Sequence, residues 1–411
     1  MSINFWKLLS GRALSTIGMS LYNVSLVWFI YHLTKNTFYT GLASFLVLAP
    51  MMFQFLAGPL IEHLDKKKLL WMTELGQVIS VIAAYLLFTT LWHSIGSLLL
   101  LTPVVAVLSM FSNPAEMSLI PEFVNEDHYA AANTLMNVTY QTFTIIFTSL
   151  SGLLILFLSP LSIYLLSIFF NICSILIFFQ INRNKSQQNL PSEHPYSLTN
   201  NLSSYWNNLT SGFQIVRHSF IVQFLPATIV ANLTFGMLNA TLPAYASWRG
   251  GPQWYGFYQS AETIGILIGS ALAPALKKFP LGYLVILGFL MGGCSWLVSF
   301  FTSINSLSLI LYAVSLIPTG MTNILFVAAL QKAVSQKYLA QIYTIMISAG
   351  GCAMPLGSLI GGQLAQSAGL APIFISIGAS FVFVSLYWLI VPTLRRMPET
   401  NQLGSGQYTI Q

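Results

Sequence analysis

An all-α membrane protein of twelve transmembrane helices, arranged as two six-helix bundles, is the fold class this chain predicts, and three observations predict it. Of its 411 residues 55% are hydrophobic and only 6% are charged. Apolar runs long enough to cross a bilayer recur along almost the whole chain. Lysine and arginine collect in alternate gaps between those runs. A soluble fold carries charge at about a quarter of its positions, so a surface this poor in charge must face lipid. Backbone groups in lipid have to be satisfied within their own segment, which makes the runs helices.

A helix needs about 20 apolar residues to cross a hydrocarbon core of about 30 Å. Such runs lie near residues 11–33, 38–61, 69–91, 95–119, 130–158, 161–181, 220–246, 253–276, 282–303, 306–330, 338–366 and 370–392. The first is too long for a signal-peptide core and carries Arg12, so it is expected to remain as a span. Twelve crossings return both termini to one side. Of the sixteen basic residues, all but Lys35 and Arg249 then share that side: Lys7, Arg12, Lys66, Lys67, Lys68, Arg183, Lys185, Arg217, Lys277, Lys278, Lys332, Lys337, Arg395 and Arg396. Positive loops stay inside, which predicts an inner or plasma membrane location with cytoplasmic termini.

The longest polar interval, rich in Asn, Ser, Gln and Pro, divides the chain. The expected organisation is a first bundle over 1–181, a cytoplasmic linker over 182–219 with an amphipathic surface helix in its later part, a second bundle over 220–392 and a cytoplasmic tail over 393–411. The halves echo each other at a spacing of about 210 residues, as internal repeats do. Tyr39-Thr40-Gly41-Leu42 opens span 2 as Trp254-Tyr255-Gly256-Phe257 opens span 8.

Cys173, Cys294 and Cys352 are scattered through apolar stretches and suggest neither disulfides nor a metal cluster. No metal or cofactor is expected. The net charge of +6 has a topological origin, so no nucleic-acid partner is expected either. The partners implied are the lipid bilayer, a small-molecule substrate and the proton, with the chain functioning as a monomer. No phosphate loop for ATP is present, and the zinc-protease and Gly-x-Ser-x-Gly signatures of membrane enzymes are missing.

Between spans 2 and 3 stands Gly58-Pro59-Leu60-Ile61-Glu62-His63-Leu64-Asp65-Lys66-Lys67-Lys68. This resembles the loop signature of the major facilitator superfamily, Gly-x-Leu-x-Asp-Arg-x-Gly-Arg-Lys. Gly58, Leu60, Lys66 and Lys67 match, Glu62 stands in for Asp, and His63 and Asp65 depart from the pattern. Pro114-Ala115, Leu119-Ile120-Pro121-Glu122 and Ala131-Ala132-Asn133-Thr134-Leu135 resemble the branch that holds macrolide-efflux proteins and the enterobactin exporter. The drug-antiporter signature of span 5 is not intact: Ser149, Ser151 and Gly152 remain of it. The resemblance implies the major facilitator fold and export of a small amphiphilic molecule, a drug, macrolide or siderophore-like compound, by alternating access with proton antiport. An importer or an uncoupled facilitator of the same fold is the alternative, and a membrane-embedded enzyme a more distant one.

A charge inside hydrocarbon costs on the order of 3 kcal/mol, so each embedded acid needs a reason. Glu262 lies about 13 Å inside span 8 at 1.5 Å per residue, and Tyr255, Gln259 and Glu262 share a helical face. A carboxylate there can carry a proton, attract a cationic substrate, or simply bond two helices together. Glu74 in span 3 and Arg12 in span 1 lie at similar depth and are expected to pair structurally; Glu74 and Glu116 are the further proton-coupling candidates. In the resembled superfamily spans 1, 4, 7 and 10 line the cavity. That implies Tyr22, Ser25, Asn113, Asn232, Asn239, Asn323 and Phe326 as substrate contacts, with Gln259 from span 8. The Gly-rich run of span 11, Gly350-Gly351 through Gly357, Gly361 and Gly362, suits close packing or a hinge.

Overall fold

Each apolar run becomes a helix whose ends are set by caps, prolines and glycines. The computed structural model describes residues 2–56, 64–90, 94–125, 128–182, 220–333, 348 and 350–399. Helix α1 (Ile3–Thr34) starts where Ser2 Oγ accepts from Phe5 N at 3.4 Å. It ends at Lys35, whose φ of 51° is left-handed and costs roughly 1–2 kcal/mol for a residue with a Cβ. Asn36 Oδ1 then accepts from Phe38 N at 2.8 Å and opens α2 (Thr37–Leu48).

Span 2 departs from its expected form. Its α-helix stops at Leu48 and continues as a 3₁₀ segment, Ala49–Leu56, because Pro50 has no N–H to give the Leu46 carbonyl. Helix α3 (Lys66–Thr90) begins where Asp65 Oδ1 accepts from Lys68 N at 3.1 Å. Asp65 therefore serves as an N-cap. Helices α4 (Ile95–Phe123) and α6 (Pro160–Phe179) are capped by Ser94 and Ser159, and α5 (Tyr129–Leu154) lies between them.

In the second half a short 3₁₀ turn, Phe220–Phe224, leads into α7 (Leu225–Arg249), which stops at Gly250 with φ 130°. There follow α8 (Pro252–Leu276), α9 (Leu281–Phe301), α10 (Asn305–Ala333), α11 (Ala353–Ala368), α12 (Leu370–Ile390) and the short α13 (Pro392–Arg395). Among the described residues there is no strand, and eight helices are long and apolar enough to cross a membrane. The other four expected spans are α2, α5, α8 and α11, every third helix in the order. Most of the linker, the loop positions Gly58, Leu60 and Glu62, the beginning of span 11 and the end of the tail lie outside the described residues.

The described residues fall into two compact units, those within Met1–Thr34 and Leu46–Tyr205 and those within Lys35–Phe45 and Trp206–Gln411. Taken separately, the units use one packing scheme. In the first, α1 packs on α5 and α6, and α3 on α4 and α6; in the second, α7 packs on α11 and α12, and α9 on α10 and α12. The 3₁₀ end of span 2 meets α4 as α8 meets α10. Each contact recurs six helices later, the structural form of the repeat expected from the sequence.

Without water to drive helices together, close van der Waals contact holds such units. One end of the first unit is an apolar cluster of Phe5, Leu8, Leu70, Leu119, Phe123, Met136 and Phe178. The second is centred on stacked rings, with Tyr245 and Phe374 4.2 Å apart and Trp296 donating Nε1–H to the Phe374 carbonyl at 2.8 Å. Small residues bring α7 and α11 into backbone contact. A Cβ on Gly357 would strike the Leu233 carbonyl, and Ser358 Oγ donates to the Gly236 carbonyl at 3.0 Å. Residues 35–45, which the sequence assigns to the first half, join this second-unit pair: Thr37 Oγ1 donates to Gly362 O at 2.9 Å and Thr40 Oγ1 to Ala240 O at 2.6 Å.

Candidate functional site: buried ionisable side chains

The apolar faces of α1, α3 and α4 are each interrupted by polar residues at helical spacing, and packing brings the interruptions together in the first unit. Arg12 and Ser15 lie one turn apart on α1, Glu74 and Gln77 on α3, and Ser112 and Glu116 on α4. All six are buried, with Glu74 and Glu116 at 0% exposure. Counted along their helices at 1.5 Å per residue, Arg12, Glu74 and Glu116 sit about 10–13 Å from the end of the unit that carries Ile3, Lys66 and Phe123.

The ion pair expected between Arg12 and Glu74 is made instead with Glu116: Arg12 Nη1 lies 2.8 Å from Glu116 Oε2. The Arg12 guanidinium also lies 4.4 Å from the centre of the Tyr140 ring, a cation–π contact from α5. Glu74 Oε1 accepts from Ser15 Oγ at 2.6 Å. Its other oxygen has no hydrogen bond among the described residues, nor have Ser112 Oγ and either oxygen of Glu116, which Arg12 meets as an ion pair; Ser112 lies beside Glu74 without meeting hydrogen-bond geometry.

In the second unit Glu262 is half-buried, and its Oε2 accepts from Tyr312 Oη at 3.1 Å. Parallel packing of α8 on α10 sets this pair, and the same offset joins Tyr258 Oη to Ser308 Oγ at 2.7 Å. Gln259 is buried and donates Nε2–H to Tyr255 Oη at 3.3 Å. Arg249 forms a separate centre. Nε donates to Tyr245 Oη at 3.0 Å, Nη1 to Thr302 O at 2.6 Å and Nη2 to Ser299 O and Phe300 O at 2.9 and 2.8 Å. The end of α9 is thereby capped by a cation, while Trp248 and Tyr245 flank its guanidinium. Among the described residues no cluster of His, Cys, Asp and Glu could hold a metal ion.

The sequence model of the Major Facilitator Superfamily matches residues 8–351. The chain belongs to that family. Similar curated relatives include two from Bacillus subtilis (strain 168): the uncharacterized MFS-type transporter YfmI, 23% identical over 68% of each chain, and the uncharacterized MFS-type transporter YvqJ, 24% identical over 89% of this chain and 87% of that one. Among solved structures, a D-xylose–proton symporter matches with a TM-score of 0.73 at 11% identity over 100% of both chains. A POT family transporter in complex with 5-aminolevulinic acid matches with a TM-score of 0.71 at 13% identity, covering 96% of this chain and 97% of that chain. A multi-pass membrane transporter of this superfamily follows from the match, and the solved structures share its fold.

Within this superfamily member the cavity candidates separate. Tyr22 and Ser25 are used inside the first unit. Tyr22 is 3% exposed, packs on Tyr164 and lies 3.4 Å from Thr102 Oγ1, and Ser25 donates back to Leu21 O at 2.7 Å. Asn232 and Asn239 are half-buried and donate to carbonyls one turn earlier, Thr228 at 3.0 Å and Phe235 at 3.2 Å. Asn323 is exposed, and Phe326 meets the Phe224 ring edge-on at 4.7 Å. The side chain of Asn113 is outside the described residues. Sequence reasoning passed over Tyr140 and Tyr312, which touch the buried ions from helices distant in the chain. Lys66 and Lys67 act at the end of the first unit, Lys66 donating Nζ–H to Ser118 O at 3.2 Å and Lys67 lying 5.5 Å from the Phe179 ring centre.

Proposed function

We propose that the chain is a secondary active transporter that exports a small amphiphilic molecule by alternating access in exchange for protons. Its two six-helix halves, 1–181 and 220–392, would move as bodies joined by the linker, with both termini in the cytoplasm and the monomer as the working unit. The observation that carries this reading is the presence of carboxylates at depth in apolar helices of each unit, Glu74 and Glu116 fully buried in one and Glu262 half-buried in the other. Such groups are costly in lipid and characteristic of proton relays. Export rests on the resemblance to macrolide-efflux proteins and the enterobactin exporter. The D-xylose–proton symporter shares the fold, and nothing in spans or loops fixes direction, so import is the outcome that a transport assay must separate.

Efflux from proteoliposomes, assayed with and without an imposed pH gradient, tests the coupling. Dependence on the gradient supports it, whereas equal rates leave a facilitator. In the second unit, Glu262→Gln keeps volume and hydrogen-bonding capacity but removes the titrating group. The expected result is a loss of gradient-driven export by tenfold or more, on the order of the effect of removing a positioned proton-transfer group, with substrate binding retained. A variant that pumps at the wild-type rate removes Glu262 from the mechanism.

A further inference from the structure

The first unit buries two carboxylates beside a single guanidinium. In a medium of low dielectric an unpaired charge is far more costly than a neutral hydrogen-bonded group. Arg12 neutralises Glu116, whose Oε2 lies 2.8 Å from its Nη1. Among the described residues Glu74 has only neutral Ser15 as a hydrogen-bond partner, and no second cation reaches this depth. Among the described residues the other titratable or charged groups on the packed helices are Tyr140, over the guanidinium, with Tyr129 on the same helix, Tyr22, Tyr31 and His32 on α1, Lys68 and Tyr85 on α3, and Tyr164 and Cys173 on α6; the 3₁₀ segment of span 2 carries none. Lys7, Lys66, Lys67 and Glu122 belong to the end of the unit. Glu74 Oε2 and Ser112 Oγ are neighbouring buried oxygens, each without a hydrogen bond among the described residues. A proton on Glu74 would let the carboxyl group donate to the Ser112 hydroxyl, which can also accept.

We infer that the cluster of Arg12, Glu74 and Glu116 holds one exchangeable proton, carried on Glu74 and donated to Ser112 while Arg12 pairs with Glu116, and that this is one of the protons exchanged in the transport cycle. The last clause rests on the transport reading above. Loss of the proton leaves Glu74 anionic, and Arg12, paired with Glu116, also interacts electrostatically with Glu74. The guanidinium then has a second partner to turn to, on a different helix. Proton occupancy is in this way tied to which of α3 and α4 holds α1. The pairing expected from the sequence, Arg12 with Glu74, is the deprotonated arrangement of the same site.

Infrared spectroscopy of the purified full chain in detergent near neutral pH tests the inference by counting protonated carboxyl groups. A Glu262→Gln background silences the acid buried between α8 and α10, and carboxyl bands common to all variants are subtracted. The expected count is one carboxyl proton in that background and none in Glu74→Gln or Glu116→Gln, since each leaves one carboxylate for one guanidinium. Both single variants are expected to fold for the same reason, and the double variant, with Arg12 unpaired, to be lost. Arg12→Met is expected to raise the count to two. Ser112→Ala should keep the band but shift it to the frequency of a carboxyl group without an acceptor, which a purely packing role for Ser112 would not do. In vesicles, with Glu262 intact, Glu74→Gln is expected to transport at one rate with or without a gradient. A count of zero in the background, or a band that persists in both single glutamine variants, overturns the proton site. A Glu74→Gln protein still driven by the gradient overturns its coupling role. Wild-type vesicles that show no export would sink the transport reading and leave the infrared count standing.

Discussion

Replacing Arg249 by leucine is expected to destabilise the second unit by about 4 kcal/mol, because truncating one partner of a buried charged network leaves the others unsatisfied. The guanidinium joins the end of α7 to the end of α9 through the carbonyls of Ser299, Phe300 and Thr302, with Nε–H donating to Tyr245 Oη and the last N–H making a longer contact of 3.4 Å to Asn305 Oδ1. At 7% exposure no water can readily replace it. Three helix-terminal carbonyls would then face an apolar side chain at the negative end of the α9 dipole. Arg249→Lys should recover less than half of the loss, because a compact ammonium with three donors cannot follow a planar fork to four acceptors. Thermal unfolding of the purified chain in one detergent, followed by tryptophan fluorescence, reads the order wild type, lysine, leucine. A leucine variant within about 1 kcal/mol of wild type would show that the cap contributes no more than an ordinary surface contact. The same geometry gives Arg249 a structural use at the end of α7, where it is consumed by a carbonyl cap.

The sequence was most informative where a property follows from local composition. Alternation of apolar runs with basic gaps gave the helix order, and Asp65, Ser94 and Ser159 lie where capping residues are expected. It was less informative where long-range register decides. Arg12 was legible as an embedded charge, but whether it meets Glu74 or Glu116 depends on how far α3 and α4 slide along α1, which no spacing within one helix encodes. Tyr312 was invisible as a partner of Glu262 for the same reason. Its distance in sequence is fixed by the packing offset of α8 on α10, not by a motif. Polarity also misled at Tyr22 and Ser25. An apolar span can hide a hydroxyl by turning it to its own carbonyls, as Ser25 does, so a polar residue on a cavity-lining span need not face a cavity. Pro50 shows the opposite lesson: a local signal for breaking a helix was present, and it prevailed over the hydropathy that drew span 2 as one continuous run.

The offset between α8 and α10 leads to the other large expected effect. Gly265 and Gly269 lie one turn apart on α8, and a Cβ at either would collide with the Ala313 or Ile317 carbonyl of α10; Gly320 answers from α10 against Ile266. Backbone meets backbone along this seam, so a new side chain cannot be accommodated by rotating a neighbour. Gly269→Val is therefore expected to cost about 3 kcal/mol, the upper part of the range for overpacking, and to force the helices apart near the Ser270 to Gly320 hydrogen bond. Separation there should also lengthen the Tyr312 to Glu262 bond two turns away, since one register places both. Gly351 on the other side of the same unit provides the control, because a Cβ there meets nothing within 4 Å. Gly351→Ala should match or slightly exceed wild-type stability through its better helix propensity, by about 0.5 kcal/mol. Unfolding midpoints of the two variants, measured side by side in one detergent, decide the matter. Equal midpoints would mean that α8 and α10 do not approach through their glycines, and the register that pairs Tyr312 with Glu262 would lose its physical basis.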